Sequence, residues 1–465
     1  MTIEGLHALV DPYAGTQVTH LFFNPNAMRT SYTGQAWEPI YGQDDQAEGA
    51  QANNRWLNNA ALLHERGLDP YAIWIARSRE HGISPWLSMR MNDVHNADQV
   101  DHVFHSTFWR THRDCWRVPD GALWTDRSLD YGRPEVRDHA MTLVRELLER
   151  YDPDGLELDW MRFGYHFRLG QEAAGCDILT DFTRQVRQLT HRAAQRLGHP
   201  VKLAARTPTD PIIARGLGMD GVRWAHEGLV DLLIPSPFWA TADFDIPVEL
   251  WREMIGDAAG QVEIAACLEL QSRSHPHGKA CRNDAAATRG LAAGVLQRGS
   301  DHVYLFNYMD SDTTVDRPED YAAILRQCGQ LATATRERRR HVLTYADTMP
   351  PGVAARRLLP IDTEPIYPRL FRVHTGPRPA SGRAWVVLGS DAQPGDLNVR
   401  INHVTCAAGG ESSHSASIPD ASWVGRFEIP RDALCDGYQV VAVSQTGDRS
   451  THLIWLEIEI DPNAK

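Results

Sequence analysis

Between residues 18 and 306 the chain alternates short apolar runs with longer stretches of helical period. The short runs fall at 18–23, 85–91, from 155, 201–206, 230–234, 262–270 and 302–306. Between them, helical patterns fall at 53–80, where Pro70 interrupts, and at 134–151, 176–197, 221–228, 247–258 and 284–298. The pattern at 134–151 sets Val136, Ala140, Leu143, Val144, Leu147 and Leu148 on one face. Strand and helix in strict alternation predict a parallel sheet with crossover helices. After a further helix at 318–335, an eighth strand at 341–345 would close an α/β (β/α)8 TIM barrel. A doubly wound open sheet is the competing arrangement, but no glycine-rich phosphate loop follows the first strand. Past residue 350 helical period is lost, and six short alternating runs separated by turns predict an all-β sandwich. The expected division is a barrel at 1–348, a linker at 349–366 and a sandwich at 367–465. With no clear aromatic platform, the sandwich is expected to buttress the barrel.

The stretch 152–162, DPDGLELDWMR, departs from the usual pattern of a buried strand. Strand residues alternate between faces, so Leu156 and Leu158 point toward covering helices. Glu157, Asp159 and Met161 share the opposite face. Strands of parallel sheets are normally apolar on both faces, and a buried acid is costly unless it lines a polar pocket or is paired. The stretch therefore predicts a central strand delivering Asp159 to a site. The competing reading is a pair of structural carboxylates bound by arginine or backbone amides.

In this architecture chemistry collects where strands end. Those ends carry Asn24, Asn26 and Arg29; Arg90, Asp93 and His95; Glu157, Asp159 and Arg162; Arg206; Phe238 and Trp239; Glu269; and Asn307, Tyr308 and Asp310. The N-terminal ends show nothing comparable. Carboxylates, guanidinium groups, amides and rings together suit a sugar. Glycoside hydrolysis needs one ionised carboxylate and one protonated acid. Asp159 is the expected ionised group, kept charged by Arg162, with Arg90 or Arg206 as a further partner. Glu157, two residues deeper, is expected to couple to it. Glu269 is the expected acid, since it follows an apolar run and shares parity with Ala265 and Cys267. Asp93, Asp310 and, last, Glu227 are its substitutes. Asn24, Arg29, Arg90, Asp93, His95, Arg162, Arg206, Trp239 and Asn307 are expected to bind substrate. The segment 96–133 is long for a loop, and its Trp109, Trp116 and Trp124, with Trp160 and Trp239, are candidates for sugar subsites. Asp93 and His95, near His102 and His105, mimic a metal site. Asp-x-His arises readily in a chain with 21 histidines, so no metal and no cofactor is expected.

Length and charge narrow this further. The 465 residues exceed one ordinary core. A net charge of −13 with interspersed signs argues against nucleic acid or an anionic membrane as partner. Seven scattered cysteines without a C-x-x-C spacing imply reduced thiols. The N-terminus lacks the basic and apolar regions of a signal peptide, and no apolar run reaches membrane-spanning length, so a cytoplasmic location is expected. Nothing in the pattern excludes a homo-oligomer.

The phrase DGLELDWMR resembles the fourth-strand motif of glycoside hydrolase family 18, with Asp154, Glu157 and Asp159 on its three leading acids. Met161 stands at the position of that family's catalytic acid, which speaks against substrate-assisted chemistry. The phrases FFNPNAMRTSY, PWLSMRMND and DGLELDWMR, with a Phe-Asn after a late strand, resemble the uncharacterised bacterial "family 10-like" glycosyl hydrolases. That resemblance covers most of residues 15–310 and implies a glycoside hydrolase on a TIM barrel. A non-catalytic carbohydrate-binding barrel and a metal-dependent hydrolase or lyase are the alternatives.

Overall fold

The computed structural model describes residues 2–41, 55–308, 318–355, 357–411 and 418–465. Seven strands form one sheet: β1 (His20–Phe23), β2 (Ser84–Arg90), β3 (Gly155–Asp159), β4 (Lys202–Pro208), β5 (Leu232–Ser236), β6 (Glu263–Leu268) and β9 (His302–Leu305), in that order. The pairs β1–β2, β2–β3, β3–β4 and β6–β9 run parallel. This is the TIM-barrel-like α/β arrangement that the alternation of periods predicts. Contacts divide the chain into two compact units, Met1–Ile234 with Glu253–Glu263, and Pro235–Arg252 with Ile264–Lys465.

In the first unit every residue of β3 is buried. The helix Pro134–Arg150 buries the face read from its period, with Leu143, Val144 and Leu147 inaccessible. The pattern expected at 53–80 is two helices, Arg55–Glu65 and Pro70–Glu80. Asp69 caps the second by accepting the amides of Tyr71 and Ala72, and Pro70 takes the first-turn position that needs no amide. The long segment before residue 134 is ordered around its own aromatic pair: Trp109 and Trp116 are buried with ring centroids 4.6 Å apart.

In the second unit the eighth barrel strand is corrected. Arg339–Val342 (β10) does not join the parallel sheet. It pairs antiparallel with β19 (His452–Asp461), from Arg339 opposite Ile460 to Val342 opposite Glu457. Cross-strand charge explains the choice. Arg340 grips Glu457 through two bonds of 3.0 and 2.8 Å, and Arg338 meets Glu459 at 2.6 Å. A buried guanidinium needs such partners, and the alternating acids of β19 supply them.

Two antiparallel sheets complete this unit. One is β10-β19-β13-β17-β16, with β11 (Ile361–Asp362) also on β19; here β13 is Arg383–Ser390, β16 Ala407–Glu411 and β17 Trp423–Glu428. The other is β12-β18-β14-β15, where β12 is Arg369–His374, β14 Leu397–Ile401, β15 Val404–Thr405 and β18 Tyr438–Gln445. Val386, Leu388 and Ile458 of the first share a core with Phe371, Val399 and Val441 of the second, as in a sandwich. A two-stranded ribbon, β7 (Gln271–Ser272) with β8 (Cys281–Arg282), follows β6. Among the described residues no helix is long and apolar enough to cross a membrane.

Candidate active site

Parallel register lines up three candidate residues in the first unit. Arg90 on β2 stands opposite Asp159 on β3, which stands opposite Arg206 on β4. Arg206 is wholly buried and grips Asp159 with Nε on Oδ1 and Nη2 on Oδ2, both at 2.8 Å. The amides of Met161 and Arg162 each donate to the same Oδ1 at 3.0 Å. Nη2 also lies 2.7 Å from Oδ1, so four nitrogens crowd that oxygen and Oδ2 is the less occupied one. Glu157 lies one pleat deeper, 3.6 Å from Arg206 Nε and fully buried. Arg206 grips the carboxylate through its side chain, whereas Arg162, the first expected partner, reaches it through its backbone amide.

Arg90 turns instead to Asp93, Nη1 to Oδ2 at 2.9 Å. Oδ1 of Asp93 accepts the amide of His95 at 3.0 Å and lies 2.7 Å from its Nδ1. Burial alone would raise the Asp93 carboxyl, but the His95 bond and the nearby Arg90 charge outweigh it and hold the group below its ordinary value. Arg162 Nη2 lies 2.7 Å from His95 Nε2. A guanidinium only donates, so Nε2 accepts and the ring proton sits on Nδ1, facing Asp93. Burial, with Arg90 close by, pulls the Arg162 guanidinium down to about 10. Phe163 follows at φ 75°, a left-handed conformation that a non-glycine residue holds only under constraint. Its ring meets His95 edge-on at 4.8 Å and Trp124 at 5.5 Å.

The first strand's residues do different work. Asn24 Nδ2 donates to Ser88 O at 2.7 Å. Asn26 exchanges two bonds with the backbone of Arg90. Arg29, buried, meets Glu38 at 3.2 Å. Asn24 and Asn26 stitch the loop after β1 to β2, and the Arg29–Glu38 pair ties that loop to itself. Trp109, Trp116 and Trp160 are buried and are not sugar platforms, whereas Trp124 and Trp239 are exposed. Glu227 is held by Arg184 and Arg223. His105 bonds the carbonyls of His95 and Val100. Among the described residues no group of three or more His, Cys, Asp and Glu side chains is arranged to hold a metal. The N-terminal strand ends, where nothing comparable to the opposite ends is expected, border a cavity of about 410 Å³ lined by His20, Arg79, Trp86, Asp154, His199 and Lys202. Its cations have partners: Arg79 meets Asp154 of the same lining at 2.7 Å, and Lys202 meets Glu263 outside it at 3.3 Å.

In the second unit Glu269 is buried just past β6, its Oε1 accepting the amide of Leu270 at 2.9 Å. Its carbonyl accepts from Asn283 at 2.9 Å and from the Tyr308 hydroxyl at 3.3 Å. Asn307, two residues past β9, stands in the left-handed region at φ 64°. Asp310 lies outside the described residues. Asp159 and Glu269 thus belong to different compact units. Trp239 is fixed by Asp347, a residue that sequence reasoning missed because it follows β10 in a segment without period.

No family model matches the chain, and no curated protein matches it. Solved structures with a similar chain path include the glycoside hydrolase domain of PgaB (BpsB) from Bordetella bronchiseptica, 10% identical, TM-score 0.39, over 70% of this chain and 92% of that one. The noncanonic maltogenic α-amylase AmyB from Thermotoga neapolitana is 10% identical, TM-score 0.39, over 95% and 94%. A cycloisomaltooligosaccharide glucanotransferase from Paenibacillus sp. is 6% identical, TM-score 0.29, over 84% of this chain, which spans about half (47%) of that one. Likeness at this level assigns no role to any residue.

Proposed function

We propose that this chain is a glycoside hydrolase in which Asp159 is the ionised carboxylate and Glu269 the proton donor. The observation that carries the reading is the setting of Asp159: a buried carboxylate at the C-terminal end of a central parallel strand, held by Arg206 and two amides with Oδ2 the less occupied oxygen. Such a group suits attack on, or charge stabilisation of, an oxocarbenium-like centre. Beside it, Arg90, Asp93, His95 and Arg162 form a polar rim with Phe163 and Trp124, the mixture of forks and rings that recognises hydroxyls and sugar faces. The Glu269 assignment rests on its place in the sequence, late in an apolar strand.

The test is release of reducing sugar from a panel of aryl glycosides and oligosaccharides. Glu269→Gln should lower kcat by about 100- to 10,000-fold, the usual range for loss of a general acid. Asp159→Asn should be at least as severe, with circular dichroism confirming a folded protein. Full turnover in either variant would remove that residue from the mechanism. A second reading, a carbohydrate-binding barrel without turnover, draws on Met161: it is buried and carries no proton where the family 18 motif has its acid. Glycan binding with no hydrolysis by the unmutated protein would establish that reading instead.

A further inference from the structure

Trp239 lies in the second unit, three residues past β5, with 48% of its surface exposed. Its backbone is held firmly. The amides of Phe238, Trp239 and Ala240 all donate to the carboxylate of Asp347, each at 2.9 Å. The Thr348 hydroxyl adds a bond of 3.1 Å to Oδ1, and Gln271 Nε2 ties the Trp239 carbonyl at 2.9 Å. Consecutive backbone amides aimed at one point make a nest for an anion, here filled by the protein's own carboxylate. Burial pushes the Asp347 carboxyl up, and the three amides and Thr348 pull it back. Nothing of this kind is needed to keep an exposed indole in solvent. It is what a fixed platform requires, because ordering the loop beforehand removes that entropy from binding.

Arg273 lies over the indole, its guanidinium carbon 6.0 Å from the ring centroid. It leaves the ribbon at β7, and its backbone is fixed by Thr241, whose hydroxyl accepts from Arg273 N at 2.9 Å and donates to Arg273 O at 3.2 Å. Its Nε is buried and meets no hydrogen-bond partner among the described residues. Other buried or half-buried arginines of this unit are committed: Arg298 to Glu249 and Asp245, Arg340 to Glu457, Arg338 to Glu459. An arginine whose Nε is uncommitted, beside an exposed ring, matches a ligand that offers an apolar face and a planar anion together.

We propose that Trp239 and Arg273 form a subsite for a sugar bearing a carboxylate, with the indole packing on the pyranose face, the guanidinium pairing with the carboxylate, and Asp347 positioning the loop. This deepens the glycoside hydrolase reading and rests on it. The test is calorimetric titration with trigalacturonate and with a glucuronate trisaccharide, each against its methyl ester. The ester keeps the sugar and removes the charge. The acid form of one probe should bind at least tenfold more tightly than its ester. Arg273→Gln should bring the two within about twofold, Trp239→Ala should weaken both, and Asp347→Asn should weaken both without changing their ratio. Circular dichroism guards against misfolding. Equal binding of acid and ester, or a preference that survives Arg273→Gln, would overturn the proposal. Cleavage of neutral glycosides alongside either result leaves the hydrolase reading standing. If no glycan, charged or neutral, is bound or cleaved, both fall.

Discussion

Arg206 is shut off from bulk solvent. Its side chain is 0% exposed, Glu157 likewise, and Asp159 2%. A charge in that position is tolerable only while its partner is present, so Asp159 carries a structural duty beside its proposed chemical one. Asp159→Asn or Arg206→Met alone should cost about 3–5 kcal/mol of stability by urea unfolding, the usual penalty for orphaning a buried ion. The double variant should cost less than the sum, with a coupling of about 1–3 kcal/mol. Additive losses would mean that the two groups do not depend on each other. A fall in turnover caused by Asp159→Asn has to be read at a temperature where the variant is still folded. The alternation in LELDWMR marks Asp159 as a buried acid with a purpose. The choice among Arg90, Arg162 and Arg206 is not legible in the chain, because it depends on which residue of β4 falls opposite Asp159. Once β2 and β4 flank β3 the in-register arginines are fixed, and Asp93, three residues after Arg90, decides which of them is left for Asp159.

Helices and strands show the same mixture at the next scale up. The 134–151 pattern was readable because a single buried face repeats every third or fourth residue. The split at Pro70 was only half readable, because the pattern continues through it while the backbone does not. The eighth strand misled because the run 341–345 is apolar, whereas the feature that determines its neighbours is the arginines before it and the acids of a strand more than a hundred residues later. Gly290 records where β10 belongs. It lies inside the helix Ala285–Gln297, where glycine is a poorer choice than alanine by about 1 kcal/mol. A Cβ there would stand 1.9 Å from the carbonyl oxygen of Arg340 on β10. Packing therefore outweighs propensity. Gly290→Ala should destabilise by about 1–3 kcal/mol or more, as overpacking does, although it improves the isolated helix. A neutral or stabilising result in urea unfolding would show that the helix does not approach this strand so closely.

Acid sensitivity is a property of the molecule as a whole, since each unit holds histidines that burial keeps neutral. His166 in the first unit has its imidazole pulled down to about 4, chiefly by burial, against the opposing bond to the Trp160 carbonyl. His374 in the second is also at about 4, by burial and then by the Arg298 charge. His341 beside it is held well below the ordinary histidine range. In an unfolded chain these rings titrate near 6.5. Above that value folded and unfolded forms are both neutral, and pH has no leverage through them. As pH falls from about 6.5 toward 4 the unfolded chain takes up protons that the folded one refuses, so stability is lost. From pH 7 to pH 5 a histidine displaced from about 6.5 to about 4 should remove about 2 kcal/mol. Asp130 and Asp347 act in the opposite sense: burial raises both, so the folded state gains stability as pH falls through their values, which limits the loss at the acid end. The upper part of the window therefore belongs to the histidines. His166→Gln and His374→Gln should each flatten the fall in unfolding free energy between pH 7 and 5 by about 2 kcal/mol, whatever their effect at pH 7. Profiles parallel to that of the unmutated protein would show that these rings are solvated enough to accept a proton in the folded state.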